Sequence, residues 1–189
     1  MYKNYNDLRA SQIEGLDYAV STCERNNSRI LIVAPHGGTI EPGTSEITRC
    51  VANNNYSSYI FESRKEYDEN YVSLHITSHK FDEPRCIEML KRHDWVVTVH
   101  GCSDLNDVIF LGGLCEELKC LMGLAFTKYG INYENNHQRF LGRHPDNICN
   151  RGKQRAGLQL EISVPLRKKR YTRLLSLIIK EALNSFLND

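Results

Sequence analysis

Three polar side chains stand at or just past the ends of apolar runs: His36 after RILIVAP, His100 at the end of WVVTV, and Glu161 inside LQLEISV. Glu41 follows His36 across Gly37, Gly38, Thr39 and Ile40. The two glycines let the backbone fold sharply enough for His36 and Glu41 to face one point. Two imidazoles and a carboxylate suit a catalytic Zn²⁺, which keeps a position open for water and brings the pKa of that water down to about 7. Amide hydrolysis also needs a group that carries the water's proton to the leaving nitrogen. Glu161 is the candidate, because an acid in the middle of an apolar strand is costly to bury without a partner or a task. Arg151 and Arg155, just upstream of that strand, are candidates for the cation that holds an oxyanion or a substrate carboxylate. Arg64, Lys65 and Arg143 are further basic residues placed to flank a cleft.

Other residues compete for these roles. His75 and His79 in LHITSHK have the i,i+4 spacing of a helical metal pair, yet Tyr71 to Leu74 before them reads as a strand, which leaves His75 as a supporting contact. Cys102, close to His100, offers a Cys-His nucleophile instead of a metal. The run Arg167-Lys168-Lys169-Arg170 with Arg173 is the one strongly basic stretch; such runs are more often solvated faces than binding sites.

These groups need strands to position them. Tyr18 to Glu24 and Arg29 to Ala34 flank a polar Asn26-Asn27-Ser28 turn and read as an antiparallel pair. RILIVA is nearly continuous in apolar residues, as an interior strand should be. Thr44 or Ser45 can cap a short helix running to about Val51. Tyr59 to Glu62 and Leu74 to Ile76 read as short strands. FDEPRCIEMLKR fits a helix with Pro84 in its first turn and basic residues at its end. DWVVTVHG and DVIFLGG read as strands, Leu114 to Lys128 as a helix, Gly130 to Arg155 as irregular, and GLQLEISVP as a strand. An amphipathic helix from about Lys169 to Phe186 follows, with Leu174, Leu175, Ile178, Ile179, Ala182 and Phe186 on its apolar face. Alternating strands and helices with a hairpin imply an α/β architecture, a mixed β-sheet flanked by helices.

Composition narrows the function. The 189 residues, 41% hydrophobic and 25% charged, fit a single domain over 1–189 with a sizeable core. A net charge of +1 gives no global footprint of a nucleic-acid binder. No apolar run is long enough to span a membrane, and no apolar leader is visible, so a cytoplasmic location is expected. Seven cysteines without a CxxC pair argue against a disulfide scaffold and for a reducing setting.

The segments APHGGTIEPGTSE, FESRK, LHITSHKFDEP, VTVHGC, GGLCEEL, NICNRG and LQLEIS occur in this order. Together they resemble the poly-γ-glutamate hydrolase family of phages and prophages, sometimes labelled phage replication-related. The resemblance runs over about residues 10–168. It implies a compact relative of the zinc carboxypeptidases, with Zn²⁺ on His36, Glu41 and His100 and a catalytic carboxylate at Glu161. It implies a substrate of γ-linked glutamate units; from the short apolar runs and the lack of a signal peptide, no membrane partner is expected, nor release from the cytoplasm unless a host cell lyses. Asn150-Arg151 resembles the Asn-Arg pair with which carboxypeptidases hold a carboxylate, but here it follows the second histidine instead of preceding it. The spacing from His36 to Glu41 is also two residues longer than in carboxypeptidases. Two other functions stay open: an amidase for small N-acylated amino acids, and a nucleic-acid-binding replication protein resting on the basic run.

Overall fold

A computed structural model describes residues 1–66 and 73–188. Its strands are β1 (Tyr18–Cys23), β2 (Ile30–Gly38), β3 (Ser57–Ser63), β4 (Trp95–Gly101), β5 (Val108–Gly112), β6 (Asn132–Asn135) and β7 (Leu158–Ile162). Its α-helices are α1 (Tyr5–Arg9), α2 (Thr44–Ala52), α3 (Pro84–Arg92), α4 (Glu116–Lys128) and α5 (Lys169–Asn188). The strands form one mixed sheet in the order β1-β3-β2-β4-β7-β5-β6, with helices packed on both faces, as expected from the alternation in the sequence.

The interior strands are buried on both faces, so period-2 alternation distributes their apolar side chains between two cores. Ile30 and Ile32 of β2 join α2, α4 and α5 on one face. Leu31 and Val33 join α1 and α3 on the other. The chain leaves β2 through α2 to reach β3 on one flank, then crosses back over β2 through α3 to reach β4 on the other, both strands parallel to β2. The carboxyl ends of β2 and β4 form a topological switch point, where α/β sheets open a crevice for ligands.

Four expectations need correction. β1 and β2 are not paired: β3 lies between them, antiparallel to β1 and parallel to β2. The polar turn signals a change of direction but cannot tell which strand fills the space beside it. Leu74 and Ile76 are fully buried, yet Ile76 makes only an isolated bridge to Tyr2, so their alternation reflects packing against a core and not a strand; Tyr71 and Val72 lie outside the described residues. The segment 130–155 contains β6, parallel to β5, which lacks the apolar pattern because an edge strand is half solvated. Neither Thr44 nor Ser45 caps α2: Gly43, at φ 95°, occupies that position.

Candidate metal centre and its cavity

The end of β2 is shaped by a register shift against β3 between Ala34 and Gly37. Such a bulge re-aims the side chains it carries, and here it carries His36. Gly38 takes φ 65°, and a Cβ there would run into the Ser63 backbone, so the turn tolerates only glycine. The Glu41 amide then donates back to the His36 carbonyl at 2.9 Å, closing the loop.

This loop and the end of β4 bring three side chains to one point. His36 Nδ1 lies 2.9 Å from Glu41 Oε1 and 3.2 Å from His100 Nδ1, and His100 Nδ1 is 3.6 Å from Glu41 Oε2. The other ring nitrogen of His36 is 2.8 Å from the Ile76 carbonyl and donates to it, which turns Nδ1 toward the cluster. The Gly101 amide donates to Glu41 Oε2 at 2.8 Å and fixes the carboxylate. A tetrahedral metal with bonds of ~2.0–2.1 Å has ligand–ligand edges of about 3.3 Å. The donors are therefore already near the separations a Zn²⁺ ion demands, and the donor set is the one it prefers.

His75 closes this cluster from one side. Its ring stacks on His36 with centroids 4.0 Å apart, and His36, Glu41 and His75 offer ligand atoms within 4.8 Å of one another. His100 Nδ1 falls inside the same limit, at 3.2 Å from His36 and 3.6 Å from Glu41, so either histidine is within reach of a cation held by that pair. His75 Nδ1 is buried without a hydrogen-bond partner, and burial, followed by the neighbouring His36, pushes its pKa down to about 3. His79 lines the same cavity but packs against His144, centroids 5.0 Å apart, and not against His36 or Glu41.

Glu161 approaches from β7, whose register places it beside His100. It is 8% exposed, and burial pushes its pKa up to about 7. Gln159, two residues earlier on the same strand face, donates to Glu161 Oε1 at 3.1 Å. Asn147 in turn donates to Gln159 Oε1 at 2.8 Å. This relay orients the acid. Glu41 moves the other way: burial alone would raise its pKa, but His36 and His100 override that and hold it well below the usual carboxylate range. The same carboxylates raise the pKa of His100 against the opposing effect of its burial.

All five side chains line one cavity of about 670 Å³. Its far wall is the 138–144 segment, which contributes Gln138, Arg139, Arg143 and His144. Phe140 anchors this wall against Phe110, centroids 5.1 Å apart, opposite Glu161 in the register of β5 and β7. Asn150 holds it from behind, donating to the carbonyls of Gly142 (2.7 Å) and His144 (3.0 Å).

The cations expected from sequence lie elsewhere. Arg151 donates to the Phe81 carbonyl at 3.0 Å and Arg155 is exposed; neither they nor the fully buried Asn150 are among the residues lining the cavity. Arg64 binds the Gly15 carbonyl and Lys65 pairs with Asp17. Of the basic residues named, Arg143 alone reaches the wall, joined by Arg139. Sequence reading missed Arg139 and His144 because an irregular segment gives no periodicity from which to infer facing. Gln159 had a usable signal: it shares a strand face with Glu161. Cys102 lines the cavity, but burial raises its thiol pKa, the wrong direction for a nucleophilic thiolate. All seven cysteines are unpaired.

Sheet and centre together define a hydrolase scaffold whose crevice carries a metal-competent His, His, carboxylate cluster and a facing acid. The chain belongs to the poly-γ-glutamate hydrolase family, whose model matches residues 2–184. It is 31% identical to a bacteriophage poly-γ-glutamate hydrolase of known structure, with a TM-score of 0.92 over 99% of this chain and 98% of that one. Against the zinc-free apo form of YndL it is 29% identical, with a TM-score of 0.87 over 98% of each chain. Among Bacillus subtilis (strain 168) proteins, it is 37% identical to the UPF0714 protein YmaC over 86% of this chain and 68% of that protein. The SPβ prophage-derived UPF0714 protein YoqZ is 33% identical, over 90% of this chain and 61% of its own length. The chain thus spans about two thirds of these curated relatives. Among the described residues, no helix is long and apolar enough to cross a membrane.

Proposed function

We propose that residues 1–189 form one catalytic domain that hydrolyses γ-glutamyl amide bonds of poly-γ-glutamate, with Zn²⁺ held by His36, Glu41 and His100. The observation that carries this reading is the meeting of two imidazole Nδ1 atoms and a carboxylate within 2.9–3.6 Å, in a cavity that a second, protonatable acid also lines. Bound there, the ion would polarise the scissile carbonyl and make water acidic enough to attack near neutral pH. Glu161, with a pKa of about 7, is matched to accept a proton from that water and return it to the leaving nitrogen. Gln159 keeps its carboxyl aimed during both transfers. A γ-linked glutamate unit retains a free α-carboxylate, and Arg139 and Arg143 on the cavity wall supply the cations that would hold it or the developing oxyanion.

The test is metal analysis of purified protein alongside an assay on poly-γ-glutamate. About one zinc per chain is expected, together with chelator-sensitive release of short oligomers that zinc restores. Activity that survives full removal of metal would overturn the reading.

A further inference from the structure

Arg167, Lys168, Lys169, Arg170 and Arg173 put five cations in seven residues, where the 3₁₀ turn Pro165–Arg167 runs into α5. Lys168, Lys169, Arg170 and Arg173 are exposed, and none of these four has an ion pair with an acid among the described residues. Several cations elsewhere on the surface are paired. Arg29, Arg49, Arg85, Arg92 and Lys128 each sit against a carboxylate. In a chain of net charge +1, this is the densest run of cations. A groove of about 720 Å³ runs beside it, lined by Gly43, Cys50, Arg167, Lys169 and Arg173 with Glu46 as its one acid.

This face shares a wall with the catalytic cavity. The Arg167 guanidinium donates to the carbonyls of Cys102 and Ile162, each at 3.0 Å, and also to that of Pro42. A Cβ on Gly101 would strike the same guanidinium. Gly101 and Cys102 line the cavity on their other side, and Pro42 directly follows Glu41. The basic face and the metal cluster are thus separated by little more than one turn of backbone.

We propose that this face is a second binding surface for the anionic polymer, holding a stretch of poly-γ-glutamate outside the cavity while another stretch is cut. The proposal rests on the reading of the chain as a hydrolase of that polymer. Each γ-linked unit leaves one carboxylate free, so the polymer is a flexible row of single negative charges. Closely spaced lysine and arginine heads match that row without any shaped pocket. A segment held here raises the effective concentration of its neighbours at the cavity and draws the polymer in by long-range attraction. A nucleic acid would bring bases as well as charge. The aromatic side chain on this stretch, Tyr171, is already covered by Arg170, 4.9 Å from its ring centroid, so the face offers no open stacking platform.

The test replaces Lys168, Lys169, Arg170 and Arg173 together by serine and leaves Arg167 in place. On high-molecular-weight polymer at low salt, KM is expected to rise on the order of tenfold with kcat unchanged. Oligomers too short to leave the cavity should be cleaved as by the unaltered protein. The difference should shrink at high salt as screening sets in. Circular dichroism checks the fold, and a Lys168→Gln/Lys169→Gln variant should show a smaller rise in KM if the quadruple variant is unstable. Binding of fluorescein-labelled polymer to metal-free protein reads the face without catalysis. Loss of that binding in the variant supports the proposal even if the chain proves not to cleave. Equal KM and equal polymer binding with and without the four cations overturn it, as does patch-dependent binding of a labelled oligonucleotide but not of the polymer.

Discussion

The end of β2 and the inner face of β7 each deliver one buried carboxylate to the same cavity, and the two respond to burial in opposite ways. Glu41 sits between two imidazoles and accepts a backbone amide, so it stays ionised despite losing water. Glu161 has an amide donor at 3.1 Å, and no cation touches it as closely as the imidazoles touch Glu41, so desolvation wins and its pKa rises to about 7. Residue type is the same and both carboxylates are largely withdrawn from water; the neighbours decide which acid can be a permanent anionic ligand and which can exchange protons. Separating the two roles would let one cavity hold a cation and also move a proton.

Exchanging each acid for its amide probes that division most strongly. Glu41→Gln removes an anionic donor, so dialysed protein should retain little zinc and little activity. Glu161→Gln should bind zinc as before while kcat drops by about 10²–10⁴-fold. Equal zinc loss in the two variants, measured by mass spectrometry, would abolish the distinction. A smaller effect is expected one step back in the relay. Gln159→Leu withdraws the donor that favours the Glu161 anion, so its pKa should rise further. The acid limb of the kcat/KM profile should move up by less than about one unit, with a several-fold lower rate. A profile that stays in place would mean that Gln159 does not tune the acid.

The same contrast explains what could be seen in the sequence. His36, Glu41, His100 and Glu161 were visible because each is a polar residue set in an apolar strand or on a glycine turn next to one, where burial of a charge is costly enough to stand out. The flanking strands were legible for the same reason, as continuous apolar runs. The order of strands was not: whether β1 meets β2 or β3 depends on non-local pairing that no local turn records. The wall was also hidden. Arg139 and Arg143 owe their position to Phe140 packing on Phe110 and to Asn150 clamping the carbonyls of Gly142 and His144. Arg151 and Arg155 are nearer to β7 in the sequence, but their backbone passes behind the cavity. Proximity along the chain was a poor guide there, because an irregular segment has no period that fixes which side chains share a face.

Stability offers the finest test of the two acids. The Glu161 carboxyl ionises at about 7 in the folded protein against an ordinary value of 4.5, so the folded state keeps a proton that the unfolded chain gives up. Below pH 4.5 the group is neutral in both states and has no effect. As pH climbs from 4.5 through 7, ionisation favours the unfolded chain, and stability is lost by up to about 3 kcal/mol. Glu161→Gln never ionises and escapes that loss. In chelator-treated protein, urea titration should find the variant close to the unaltered chain near pH 4.5 and more stable at pH 8 on the order of 3 kcal/mol. Glu41→Gln should have the opposite sign near neutrality, because it leaves the imidazoles and the Gly101 amide without their charged acceptor. If both substitutions shift stability in the same direction at pH 8, the carboxylates are not held in contrasting environments, and the assignment of one to the metal and the other to the proton loses its physical basis.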